Sequence, residues 1–365
     1  MPIWSQSMQR SFEYYKVDPI SWGDIELIPR VINCTITRDL NNETLGSASI
    51  DADDDINDTY VRPYLITFQN GVRERFPLGT FLCASDSRSW DGRKDSRSFD
   101  CYTPLIELKE KPMPIGYTIM KDQNLLTRAV GITRDSTRAP VADAKDDRVE
   151  MTLTGNFIAE SSETRLNFVK DLLATGNYSL GLDERGGVLF LPYQELASLQ
   201  AKFIYRDDNM SLIYPDISIS GDLFDIPNVL EIIYSVPDSG KTIYVTVRIE
   251  DPNSILSIPS RGREIVKRDS NPDVVENTTE TDLRLYALNA MKKLSTVQCE
   301  IKYKHGFTNE VQLGDCVRFE YKAADLNGVN AKVTRQVIHC NAECSVEETA
   351  VFPKNLSGVL NVDIN

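Results

Sequence analysis

Along the first third of the chain, apolar and polar residues alternate in short runs broken by turn chemistry. Val31–Thr37 (VINCTIT) alternates, and Tyr60–Phe68 (YVRPYLITF) is separated from Val72–Phe76 by Gln69-Asn70-Gly71. Asn-Gly between two such runs predicts a hairpin, because both central residues of a type I′ turn take positive φ. Gly79–Ala84 (GTFLCA) and Ser96–Tyr102 (SRSFDCY) flank Ser89-Trp90-Asp91-Gly92, a second hairpin signal of the same kind. Strands in such close succession from about 25 to 110, with little helical pattern between them, predict an antiparallel barrel or sandwich.

The pattern changes after residue 115. In Ser162–Ala174 (SETRLNFVKDLLA), Leu166, Val169, Leu172 and Leu173 fall on one helical face, and the run stops at Thr175-Gly176. Tyr178–Leu182 and Val188–Leu191 then bracket Asp183-Glu184-Arg185-Gly186-Gly187 as a further hairpin. The last third returns to strands: Val229–Val236 and Lys241–Ile249 pair across Pro237-Asp238-Ser239-Gly240, and further strands are expected near 297–304, 315–322, 330–340 and 345–352. Between them lies a helix over 280–294, with Leu283, Tyr286, Ala287, Ala290 and Leu294 on one stripe and Thr279 with Asp282 as a capping pair. The chain is therefore expected to be mainly β with an α+β insert, in three segments: 1–115 (β), 116–215 (a small α+β domain) and 216–365 (β). The echo of Leu78-Gly79 in Leu313-Gly314, each opening a strand, makes the two β segments comparable as duplicated units.

Composition narrows the function. Of 365 residues 41% are hydrophobic and 26% charged, as in ordinary globular chains. With 54 acidic against 40 basic residues the formal charge is −14, which repels a polyanion, so sequence-specific nucleic-acid binding is not expected. The opening MPIWSQSMQRSFEYYK has no apolar signal-peptide core, and no apolar run nears the roughly 18 residues of a membrane span; synthesis in a cytoplasm and no membrane segment are expected. Seven scattered cysteines, most of them in strand-like runs, read as buried thiols.

Reactive constellations are sparse. The chain has two histidines, His305 and His339, and no HExxH, nucleophile elbow or GxxxxGK. Ser235-Val236-Pro237-Asp238-Ser239-Gly240-Lys241-Thr242 resembles a phosphate loop but carries Ser235 where glycine is required, and reads as a β-turn. Asp51, Asp53, Asp54, Asp55 and Asp58 imitate a calcium loop, yet position six is Ile56 and position twelve Arg62, which leaves a solvated acidic loop. Cys340 and Cys344, beside His339, together with Cys299 and Cys316, supply ligand types for zinc or an iron–sulfur cluster, but C-x₃-C without a second close pair is a poor metal signature. Arg261, Arg263, Lys267 and Arg268 form the concentrated basic stretch, read either as a contact for an acidic neighbour or as a solvated loop. No catalytic, cofactor-binding or metal residue is assigned, and no cofactor is expected.

Several stretches resemble a family of tail hub proteins from phages and prophages of Gram-positive bacteria, similar to the central hub of contractile tails. They include Phe12–Pro19 (FEYYKVDP), Ile36–Asp39, Glu43–Ala48, Tyr60-Val61-Arg62, Pro77–Leu82, Tyr102–Glu110, Ile226–Glu231, Asp251–Ser254, Arg261–Val266 and Leu313–Arg318. The resemblance implies two tail-tube-like antiparallel β-barrel domains, in 1–115 and 216–365, and a homotrimer whose six barrels dock on the tail-tube hexamer. Distal tail or baseplate proteins, the tape measure protein and tail spike or fibre proteins are the further partners it implies, with a place in the virion at the tail tip or baseplate. Acidic residues, the Asp51–Asp58 loop among them, would then line a lumen that DNA crosses during ejection. Larger relatives append a cell-wall hydrolase, whereas this chain ends at Asn365 soon after its last strand, so no enzymatic activity is expected; a tail-associated peptidase or glycosidase is the alternative.

Overall fold

The computed structural model describes residues 2–364 except 91, 93–94, 209–210, 237–240, 271, 273 and 275–277. Its backbone forms two compact units, Met1–Ile217 with Lys302–Ala350, and Ser218–Ile301 with Val351–Asn365. The first 102 residues form β1 (Gln9–Val17), β2 (Asp24–Leu27), β3 (Val31–Asp39), β4 (Gly46–Ala52), β5 (Thr59–Gln69), β6 (Val72–Pro77), β7 (Phe81–Trp90) and β8 (Asp95–Tyr102). Then come α1 (Ile106–Glu110), β9 (Thr118–Ile119), α2 (Leu125–Arg134), β10 (Phe157–Ile158), α3 (Arg165–Thr175), the hairpin β11 (Tyr178–Leu182) and β12 (Val188–Pro192), β13 (Ala201–Arg206) and β14 (Ile213–Ser220). The remainder holds β15 (Val229–Ser235), β16 (Thr242–Ile249), α4 (Ile258–Arg261), β17 (Val266–Asp269), α5 (Glu280–Leu294), β18 (Thr296–Gly306), β19 (Cys316–Tyr321), β20 (Leu326–His339), β21 (Ser345–Asn355) and β22 (Leu360–Ile364).

Local signals are obeyed where they were strongest. Asn70 and Gly71 both take positive φ, 51° and 81°, in the turn joining β5 to β6. Thr164 caps α3 by accepting from Asn167 N, and Thr279 caps α5 by accepting from Asp282 N. The turn at Pro237–Gly240 and Asp91 of the β7–β8 turn lie outside the described residues, although Ser235 and Thr242 do pair across β15 and β16. Helix α2, with Asn124 as its cap, is an element that the sequence reading did not foresee.

In the first unit the strand order β20-β3-β4-β8-β7-β5-β1-β2 is open, with β19 beside β20 and β13 parallel to β19. In the second unit β17-β15-β16-β22 is likewise open, and Leu283, Ala287 and Met291 of α5 share its core. The two closed barrels expected are thus not formed by these sheets. Closure requires the edges to pair, and edge strand β2 is four residues long, each of them an exposed residue. Strands β19 and β20, placed by the sequence reading in a C-terminal domain, extend the N-terminal sheet: β20 pairs with β3 from Arg335↔Asp39 to His339↔Thr35.

Both faces of this sheet are covered, which explains why Tyr60–Phe68 reads as a nearly continuous apolar run. One face carries Tyr14, Ile36, Ile50, Leu65, Phe81 and Phe99. On the other, Val17, Trp22, Tyr60 and Leu82 join a core with α1, α2, α3 and the β11–β12 hairpin. Arg62 of β5 sits among them with 1% of its side chain exposed. Its Nη1 donates to Asp24 Oδ1 at 2.9 Å, Nε to Thr80 Oγ1 at 2.8 Å, and Nη2 to the carbonyls of Trp22 and Arg185 at 3.2 and 3.4 Å. Arg185 lies at the tip of the β11–β12 hairpin, and its carbonyl also accepts from Trp22 Nε1 and Thr80 Oγ1. Gly186 follows at φ +80°, where a Cβ would come within 2.9 Å of Thr80 Cβ, so the tip docks only because that residue is glycine.

Beside this cluster Glu107 accepts from Arg138 N at 2.7 Å, from Thr137 Oγ1 at 2.9 Å and from Arg138 Nε. Burial pushes its pKa up, but the hydrogen bonds from Arg138 and Thr137 outweigh that and hold it below the ordinary 4.5. Replacing Arg62 by Met should cost about 3 kcal/mol of unfolding free energy, since it strips a buried charge network of its donor. A urea midpoint unchanged from the parent would show that the cluster is not a keystone. Because the Glu107 carboxyl is depressed in the fold, its contribution is complete above the unfolded value and is lost as pH falls toward the native one. Glu107→Gln should therefore lower stability at neutral pH and shallow its decline below about pH 5, read as melting temperature against pH.

Candidate functional site

The docked hairpin leaves a cavity of about 590 Å³ inside the first unit, in the size range of small-ligand sites. Leu189 and Leu191 of β12 line one side, Leu78 and Phe81 the sheet side, and Tyr193 and Lys332 also contribute. Gly181 lies between the leucines: a Cβ there would meet Leu191 Cδ1 at 2.6 Å.

Arg38 of β3 lines the cavity and connects it to a polar chain behind the wall. Its Nη1 donates to Gln312 Oε1 at 3.1 Å and to Gln336 Oε1 at 3.3 Å, and its Nη2 to Leu78 O at 3.0 Å. Burial lowers the Arg38 pKa, while Glu184 and Glu348 pull it back up. Gln336 in turn donates through Nε2 to Glu348 Oε2 at 2.8 Å. Glu348 also accepts from the Tyr303 hydroxyl and meets His305 Nε2 at 3.3 Å. Tyr205 closes the group, its hydroxyl 3.4 Å from His305 Nε2, and burial, with Glu348 adding to it, pushes the Tyr205 and Tyr303 phenols well above 10. His305 is 1% and Glu348 2% exposed. His305 and Glu348 are thus sealed inside the fold, while the cavity is lined by titratable side chains as well as aliphatic carbon, among them Asp183, Glu184, Asp315, Lys202, Lys332 and Tyr193. The buried chain from Arg38 through Gln336 to Glu348 holds register and shape.

No protein-family model and no curated protein matches this sequence. Solved structures do. A tail protein from Neisseria meningitidis superposes with a TM-score of 0.59 at 12% identity, over 94% of this chain and 97% of its own. The 43 kDa tail protein of prophage MuSo2 from Shewanella oneidensis gives 0.56 at 13% identity, over 93% and 98%. The chain has the fold of these tail proteins.

Within the tail-protein fold the residues singled out from sequence are dispersed. In the acidic loop Asp55 pairs with Arg97 at 2.6 Å and Asp53 approaches Arg30 at 3.9 Å, while Asp51 belongs to β4 opposite Asn33 and Ser98. Hydrogen bonding from Asn57 N, then from Arg97, lowers the Asp55 pKa. Among the described residues no three His, Cys, Asp or Glu side chains are placed to hold a metal. Cys340 and Cys344 enter the first unit's core beside Cys34 instead, and His339 faces Glu347 at 3.2 Å. Much of the basic stretch is committed within its own unit: Arg261 donates to the carbonyls of Leu223 and Ile226, Arg263 stacks on Phe224 at 5.0 Å, and Arg268 pairs with Glu231 at 2.7 Å.

Glu348, Tyr303 and Gln336 were missed from sequence, whereas His305 was singled out and proves to be a buried residue of β18. The signal available was the register: in Ser345–Phe352, Val346, Glu348, Ala350 and Phe352 share the buried face of β21, so an acid stands at an inward position. Glu348→Ala would leave three buried polar groups facing a void, and should cost roughly 3 kcal/mol. Urea denaturation checks this, and a loss below 1 kcal/mol would mean that water takes over the carboxylate's part.

Proposed function

We propose that this chain is a structural protomer of the hub at a phage tail tip or baseplate, and that its role is assembly rather than catalysis. The observation that carries the reading is the alignment with two tail proteins along nearly the whole of both chains. The stretches resembling tail hub proteins support the narrower place. Tyr60-Val61-Arg62 and Pro77–Leu82 are among them, and they build the Arg62 cluster and one wall of the cavity.

The proposed assembly is a homotrimer presenting six tube-like elements to the tail-tube hexamer, with baseplate or distal tail proteins, the tape measure and spikes or fibres as neighbours. Open sheets favour it. Edge strand β2 exposes Ile25 and Leu27, at 66% and 46%, and an uncovered apolar edge invites association. On this reading neighbouring copies complete the walls that a single chain leaves open. DNA would leave through the ring, and the acidic excess, −14 per chain, would keep it from sticking. The loop at Asp51–Asp58 is a weaker contributor than five free carboxylates, because Asp55 and Asp53 have arginine partners.

Multi-angle light scattering of the purified chain, alone and mixed with tube protein, tests the proposal. A mass three times that of the chain is expected, and a species that stays monomeric in both conditions would overturn the ring.

A further inference from the structure

Cys34, Cys83, Cys101, Cys340 and Cys344 meet in a single core of the first unit. Cys83 on β7 and Cys101 on β8 stand directly opposite each other in the antiparallel register. Their sulfurs are 2.8 Å apart, inside the contact distance of non-bonded sulfur, and both residues are fully buried. Directly opposed antiparallel residues have Cα atoms about 4.5–5.5 Å apart, within the roughly 4.4–6.8 Å that a disulfide spans.

We propose that Cys83 and Cys101 form a modification site: a dithiol that a small-molecule disulfide such as oxidised glutathione converts into a cross-strand disulfide. One thiolate attacks a sulfur of the oxidant and releases the first thiol, and the second thiolate then attacks the mixed disulfide and releases the other. The two cysteines together lose two electrons and two protons, and the oxidant's S–S bond is reduced to two thiols. The contact with Cys83, and then burial, raise the pKa of the Cys101 thiol, so little thiolate exists in the closed fold. Exchange therefore proceeds during folding or through local opening. The bond would close the loop over 84–100 and fix Cys83, whose carbonyl accepts from Asp58 N at 2.7 Å at the end of the acidic loop. Cys34 and Cys340 are the competing pair, held by the bond from Cys340 N to Cys34 O at 3.0 Å. The inference does not depend on the tail-hub reading.

The test is to refold the reduced full chain in a glutathione redox buffer and in dithiothreitol, block free thiols with N-ethylmaleimide, and map tryptic peptides without reduction. Residues 76–88 and 98–109 lie on separate tryptic peptides. They are expected to be joined in the oxidised sample alone, with a higher melting temperature than the reduced protein, and both effects should vanish in Cys83→Ala and in Cys101→Ala. Should either variant fail to fold, the peptide map of the parent decides by itself. Full alkylation of Cys83 and Cys101 in the folded, oxidised sample would overturn the proposal, as would a Cys34–Cys340 link in place of this one or a random mixture of pairs.

Discussion

A buried guanidinium must be surrounded by acceptors, and those of Arg62 come from distant parts of the sequence. The Trp22 carbonyl arrives on the β1–β2 loop and Asp24 at the start of β2, Thr80 on the segment before β7, and the Arg185 carbonyl on a hairpin 123 residues away. Each contact is an ordinary hydrogen bond; their joint effect is to fix where the helical segment lies on the sheet. A charge removed from water tolerates no partial docking.

The same constraint recurs on the sheet's other side. Glu348 is a charge-bearing group in a core strand, and its neighbours Tyr303, Gln336 and His305 are placed to answer it. A slip of β21 by one residue would replace Glu348 by Glu347 on that face, among groups positioned for neither its length nor its direction. Two polar clusters thus specify the register of a large mixed sheet whose apolar residues could pack in more than one way. Between them lies the cavity, bordered by Leu78 and Arg38, where the two clusters come nearest to sharing a wall.

Sequence by itself determined the local elements. The Asn70-Gly71 turn, the cap at Thr279 and the buried stripe of α3 depend on residues a few positions apart, so their physics is complete within a short window. Mainly β content was legible for the same reason, and so was burial of the cysteines. What only the tertiary structure decided was which strands are neighbours. β20 joins β3 and leaves the sheet open, although both read locally as strands of separate barrels, because pairing depends on partners some 300 residues apart that no periodicity encodes. Arg62 and Glu348 were invisible as sites for a related reason: an isolated charge in a strand pattern looks like a solvent-facing position, and only the assembled fold shows that its acceptors or donors are waiting inside.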